Sequence, residues 1–143
     1  EPWPVDLGPE LSRGFRALKV WMTLMVHGAD PLGQVVERCC ALAHRLAAAV
    51  DAEPHLERVA PVALNIVCFR FRAGDDAMQT AIAADMQEAG DAVLSLTTLG
   101  GRTVLRAAFV NHRTQAADVD SVIRAVLAAG AARMQSAVTP LTV

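Results

Sequence analysis

The sequence predicts an α+β fold: a small, mainly antiparallel sheet covered by helices on one side and preceded by two helices. Three observations predict it. Apolar residues recur at helical spacing from about residue 12 to residue 51. The period then shortens to two through "LNIVCFRF" at Leu64–Phe71. Finally, Gly100-Gly101 joins two further strand-like runs in the manner of a hairpin. At 143 residues the chain suits one domain and can bury a fair core. Hydrophobic residues make up 53% and aromatics only 4%, with no Tyr, so Ala and Val supply much of the core and the layers are thin. So apolar a composition also leaves faces that call for a partner.

Taken in order, residues 1–11 hold Pro2, Pro4, Gly8 and Pro9 and predict extended chain. Ser12 is placed to cap a first helix with Phe15, Leu18, Met22 and Met25 on one side and Trp21 beside them. Gly14 inside that helix costs up to about 1 kcal/mol against Ala, which points to a close contact, and Gly28 ends it. Asp30-Pro31 restarts the helix, and Leu32, Val35, Val36, Cys39, Ala43, Leu46 and Val50 form a stripe running to about Asp51. A short strand is expected at Leu56–Ala60 and a longer one at Leu64–Phe71, where Val67, Phe69 and Phe71 oppose Ile66, Cys68 and Arg70. Gly74-Asp75-Asp76 reads as a turn and cap for a helix through Met78, Ile82, Ala83 and Met86 to Gly90. Strands at Ala92–Leu99 and Thr103–Val110 flank the hairpin. Asp118 caps a last helix with Val119, Val122, Ile123 and Val126 inward, and the tail is expected to loosen from Ser136, with Pro140 beyond it.

The net charge of −2 shows no basic excess of the kind that binds nucleic acid. No run is long enough to cross a membrane, and no secretory leader pattern opens the chain. Cys39, Cys40 and Cys68 are odd in number, two of them adjacent, which fits reduced thiols and a cytoplasmic protein better than disulfides. His27, His44, His55 and His112 lack metal-pair spacing, and no metal site is expected. Gly100-Gly101-Arg102 joins two strands, so it is a turn and not a phosphate loop. Asp75, Asp76, Asp118 and Asp120 are explained by helix starts. Two cationic features remain. Arg13, Arg16 and Lys19, the only lysine, recur every third residue, and Arg13 falls in a first turn where a cation opposes the dipole. A bound anion would offset that, and so would plain solvation. Arg106 sits mid-strand between apolar neighbours, where its fork needs a carboxylate or carbonyls.

"SRGFRALKVW" followed by "HGADPLG" resembles the segment after the active-site loop in group II pyridoxal-phosphate decarboxylases, the aromatic-L-amino-acid decarboxylase family. "NIVCFRF" at Asn65–Phe71 resembles that family's first small-domain strand, "LGGRTVLRAAFVNHRT" at Leu99–Thr114 its later hairpin, and "DVDSVI" at Asp118–Ile123 the start of its final helix. The resemblance implies the C-terminal small domain of a fold-type I pyridoxal-phosphate enzyme over residues 52–143. Residues 1–51 would be the end of the large domain and connecting helices that pack on that domain. It implies a carboxy-lyase that converts an L-amino acid, most commonly an aromatic one, to its amine through an external aldimine with pyridoxal 5'-phosphate. The aldimine lysine and most of the cofactor site would lie on an upstream segment, so this chain is expected to be a piece of a homodimeric enzyme and inactive alone. No catalytic or cofactor-binding residue is expected within it. Arg13 corresponds to an arginine near the active-site entrance and dimer interface, and Arg106 to a strand arginine of the small domain. Gly14 stands where many relatives carry another arginine. Two rival readings are a free-standing, non-enzymatic α+β binding or structural module and an inactive relative kept as a subunit. A cofactor-free, cooperatively folded monomer of 15.2 kDa would mark the first of these.

Overall fold

The computed structural model describes Trp3 and residues 14–138. These fall into two compact units, one ending at Gln34 and one beginning at Val35. The first unit holds α1 (Arg16–His27) and the opening turns of α2 (Ala29–Ala52). Helix α1 begins after Phe15, which supplies no side-chain cap; the proposed cap Ser12 lies outside the described residues. Gly14 therefore precedes the helix, and among the described residues, its chain neighbours aside, no heavy atom lies within 4 Å of where its Cβ would stand, so the expected close contact is not found there. Gly28 ends α1 at φ 80°, and its N–H donates to Leu24 at 2.8 Å. No residue of α1 is buried: Val20, Trp21, Met22, Met25 and Val26 are all more than half exposed. Helix α2 starts one residue before the expected cap, which puts Asp30 in its first turn, where its charge suits the dipole.

In the second unit, α2 buries Cys39, Ala43, Leu46, Ala47 and Val50. Val36, expected on that stripe, is exposed, and its neighbour Val35 packs against the core instead. The strands β1 (Leu56–Arg58), β2 (Ile66–Phe71), β3 (Ser95–Leu99) and β4 (Arg102–Ala108) form one antiparallel sheet in the order β1-β2-β4-β3. Gly100 and Gly101 take φ 57° and 76°, the double positive φ that a two-residue hairpin loop requires. The strands are shorter than the sequence predicts, but pairing continues past them: Asn65 accepts from the Phe109 N–H at 2.9 Å. The Asn65 amide also donates to the Phe109 carbonyl at 2.7 Å.

Helices α3 (Asp76–Ala89) and α4 (Ala116–Val138) complete the unit. Asp75 caps α3 by accepting from the Met78 N–H at 2.8 Å, as expected, and Gly90 ends it in the left-handed region. Asp118 lies inside the first turn of α4 and accepts from the Gln115 N–H at 2.8 Å, the backward half of a capping box. Helix α4 runs on to Val138 and does not loosen at Ser136, because "AARMQSAV" holds no helix breaker; Pro140 lies outside the described residues. The core gathers Val67, Phe69, Phe71, Leu105, Ala107 and Phe109 with the inward residues of α2, α3 and α4, so all three helices pack on one side of the sheet. Among the described residues no helix is long and apolar enough to cross a membrane.

Candidate functional site

Strand alternation sends Cys68 and Arg70 of β2 and Val104, Arg106 and Ala108 of β4 to the side away from that core. Three residues share a row across this face, with Cys68 opposite Arg106 and Arg106 opposite Ser95. The Arg106 Nε donates to Ser95 Oγ at 2.8 Å, and that hydroxyl donates onward to the Arg106 carbonyl at 3.2 Å. Burial pushes the Cys68 thiol up, and the Arg106 charge pulls it partly back. Cys68 is thus a protonated, packed thiol and a poor nucleophile.

Toward β1 the same face is charged and paired. Arg70 is buried; its guanidinium donates to Asp76 at 2.8 Å, to the Gly74 carbonyl at 3.1 Å and to the Thr103 carbonyl. The Arg70 hydrogen bond holds the Asp76 carboxyl below the usual range. Arg102 and Glu57 pair at 3.0 Å, and the Arg102 hydrogen bond lowers the Glu57 carboxyl against the opposing effect of burial. Arg70 reaches across β4, and Val104 beside it is fully buried although it does not face the helices. Among the described residues of this face, Arg70 and Arg102 have carboxylate partners and Arg106 has none. Among the described residues the terminal N–H groups of the half-buried Arg106 have no hydrogen-bond partner, and Ser95 fixes its orientation through Nε.

Arg13 lies outside the described residues. Arg16 and Lys19 are exposed on α1 in the first unit. The anchoring role of Arg70 was not foreseen, although Asp76 six residues later, at a helix start, is the signal that could have revealed it. Among the described residues no group of three His, Cys, Asp or Glu side chains could hold a metal ion.

With this geometry in view, known proteins give a consistent match. The pyridoxal-dependent decarboxylase conserved domain matches residues 6–72. The chain is 34% identical over 118 residues to 3,4-dihydroxyphenylacetaldehyde synthase of Drosophila melanogaster, covering 82% of this chain and 22% of that protein. It is 34% identical over 116 residues to aromatic-L-amino-acid decarboxylase of Bacillus atrophaeus, covering 76% of this chain and 24% of that one. A crystal structure of Oryza sativa TDC with PLP and tryptamine superposes with a TM-score of 0.79 at 25% identity, over 92% of this chain and 30% of that chain. The chain resembles the C-terminal portion of the group II pyridoxal-phosphate decarboxylases. Its sheet and helices are those of the small α+β domain of fold-type I enzymes, and it spans about a quarter of the length of the curated relatives it matches.

The family implies pyridoxal phosphate, and the described residues do not fit that group by themselves. An amine for the carbonyl carbon, a flat side chain over the ring and a carboxylate at the ring nitrogen would have to converge. Lys19 supplies the only lysine amine, and it stands exposed in the first unit. The carboxylates on the Arg106 side of the sheet, Glu57 and Asp76, are already bound to arginines.

Proposed function

We propose that this chain is the C-terminal part of a carboxy-lyase that removes the carboxyl group of an aromatic L-amino acid to give the amine. In this reading pyridoxal 5'-phosphate is the cofactor, held by upstream residues that also supply the reactive lysine, and the assembled enzyme is a homodimer. Residues 1–51 serve the large domain and the connection to it, and residues 52–143 form the small domain. The observation that carries the reading is the joint agreement of sequence and fold: 34% identity to a named aromatic amino acid decarboxylase and a TM-score of 0.79 to a tryptamine-bound relative. Within this chain Arg106 is the residue proposed to meet an anion, the carboxylate of the substrate being the first choice, and Arg13 is proposed to lie near the site entrance. The three free cysteines agree with a reducing cytoplasmic setting.

The test is turnover by the full-length polypeptide loaded with cofactor. A panel of aromatic and non-aromatic L-amino acids is assayed for released carbon dioxide, and the organic product is identified. Carbon dioxide with equimolar amine from an aromatic substrate is the expected result. Aldehyde in place of amine would move the chain toward the synthase relatives. A cofactor-loaded dimer that releases no carbon dioxide from any amino acid would overturn the reading.

A further inference from the structure

The second unit carries a cavity of about 550 Å³ that the proposed reaction does not use. It lies where α2 gives way to β1 and where the C-terminal half of α4 passes the end of β2. Leu127, Ala131 and Met134 of α4 form one wall, and Phe71, His55 and Glu53 form the other. The two rings are stacked, with centroids 6.3 Å apart and planes within 10°. Phe71 is held firmly. Its N–H donates to the buried Gln79 amide at 2.9 Å, and its carbonyl accepts from the same amide at 3.0 Å. Its ring lies so close to Gly130 that a Cβ there would stand 2.4 Å from Cε2. Phe71 is thus a fixed, almost wholly covered floor, and the exposed His55 ring stacked with it is the flat surface open to the cavity.

Glu53 supplies the polar character. Its carboxylate accepts the His55 backbone N–H at 3.2 Å, which keeps it at the rim, and among the described residues it makes no ion pair. By contrast Arg45, Arg58, Arg102 and Arg133 have each found an acid. Among the described residues no lysine or arginine lines the cavity. A half-buried acid beside an exposed ring and a thioether complements a cation carried on a flat apolar body: the acid takes the charge, and His55, Leu127 and Met134 take the body. We propose that this cavity binds an aryl-alkylammonium ion. That is the class of product the proposed reaction releases, so the biological ligand rests on that reading, while the binding chemistry does not.

The probe is 2-phenylethylammonium, titrated calorimetrically into the full-length protein. Comparators are 2-phenylethanol, which keeps the body without the charge, and 3-phenylpropionate, which reverses the charge. The amine is expected to bind, Glu53→Gln to weaken it about tenfold or more, and Ala131→Phe, which fills the cavity, to abolish the Glu53-sensitive component. Should Ala131→Phe fail to fold, Glu53→Gln decides, since it is near-isosteric at the rim. Unchanged affinity in Glu53→Gln, or propionate binding as tight as amine binding, overturns the site. Carbon dioxide release measured on the same preparations separates the two claims. Glu53-sensitive binding without turnover refutes the decarboxylase reading alone, and turnover with Glu53-insensitive binding refutes the cavity alone.

Discussion

On the helix-facing side of the sheet, Val67, Phe69, Leu105 and Ala107 are wholly or nearly buried against α2, α3 and α4. On the opposite side the same two strands present Cys68, Arg70, Arg106 and Ala108. The first side is closed by shape, through side chains without polar atoms. The second is organised by direction: Arg70 ties β2 to the start of α3 and to β4, Glu57 ties β1 to Arg102, and Ser95 orients Arg106. One side of each strand thus fixes the fold, and the other is free to hold a charge without a built-in partner. The two sides can therefore vary separately, because residues on the polar side can change while the core is left intact.

The contrast can be broken most severely at Phe69. Phe69→Ala empties the centre of the core side and is expected to lower unfolding free energy by about 3–5 kcal/mol. Denaturant unfolding checks this, with an unchanged m-value showing that cooperativity persists. The next effect falls at the sheet end. Gln79→Leu leaves the Phe71 N–H and carbonyl without their amide partner, which is expected to cost about 1–3 kcal/mol. A Gln79→Leu protein as stable as the parent would show that these backbone groups are satisfied by water and that the amide clip is dispensable.

The core side was legible in the sequence because period-two alternation at Val67, Phe69 and Phe71, and again at Leu105, Ala107 and Phe109, survives folding unchanged. The hairpin was legible because two consecutive glycines have few other uses between strands. The helix starts near Asp75 and Asp118 were legible from capping chemistry. What the sequence did not disclose is long-range and polar. Nothing local says that Arg70 reaches Thr103 across the neighbouring strand, or that Arg102 meets Glu57 from a strand 45 residues away. Nor does anything local to Gln79 disclose its two hydrogen bonds to the Phe71 backbone, which depend on the sheet end lying beside α3. Gly14 points to a close contact only if it lies inside the helix, and the helix begins after it. Arg106 was legible as an isolated strand cation, and its orientation by Ser95 depended on a register that only the hairpin closes.

A smaller effect on stability is expected on the far side. Arg106→Ala removes one hydrogen bond to a half-exposed hydroxyl that keeps its backbone acceptor, so stability should change by about 1 kcal/mol or less. In the full-length enzyme the same substitution is expected to raise KM for the amino acid by about tenfold or more, the worth of a charge-assisted contact. Arg106→Lys should restore part of that loss because the charge remains while the fork is lost. A variant with both parameters unchanged would remove Arg106 from any anion role and leave it as a strand residue.

The smallest effect concerns Glu57 and follows from the sign of its shift. Its folded carboxyl titrates lower than an ordinary glutamate, chiefly through the Arg102 hydrogen bond. The stabilisation is therefore complete above the ordinary glutamate value and is lost as pH falls through the lowered one. Glu57→Gln should flatten the acid limb of the melting temperature measured from about pH 7 to about pH 3 and leave the neutral end nearly unaltered, because both partners are partly exposed and solvent-screened. An acid limb as steep as the parent's would assign that loss to Asp76 and Asp85, whose carboxyls are also lowered by arginine partners. Asp76 belongs to the same face through Arg70, but Asp85 pairs with Arg133 between α3 and α4. Asp76→Asn and Asp85→Asn, measured separately, therefore decide whether acid sensitivity lies on the far side of the sheet or in the helical layer.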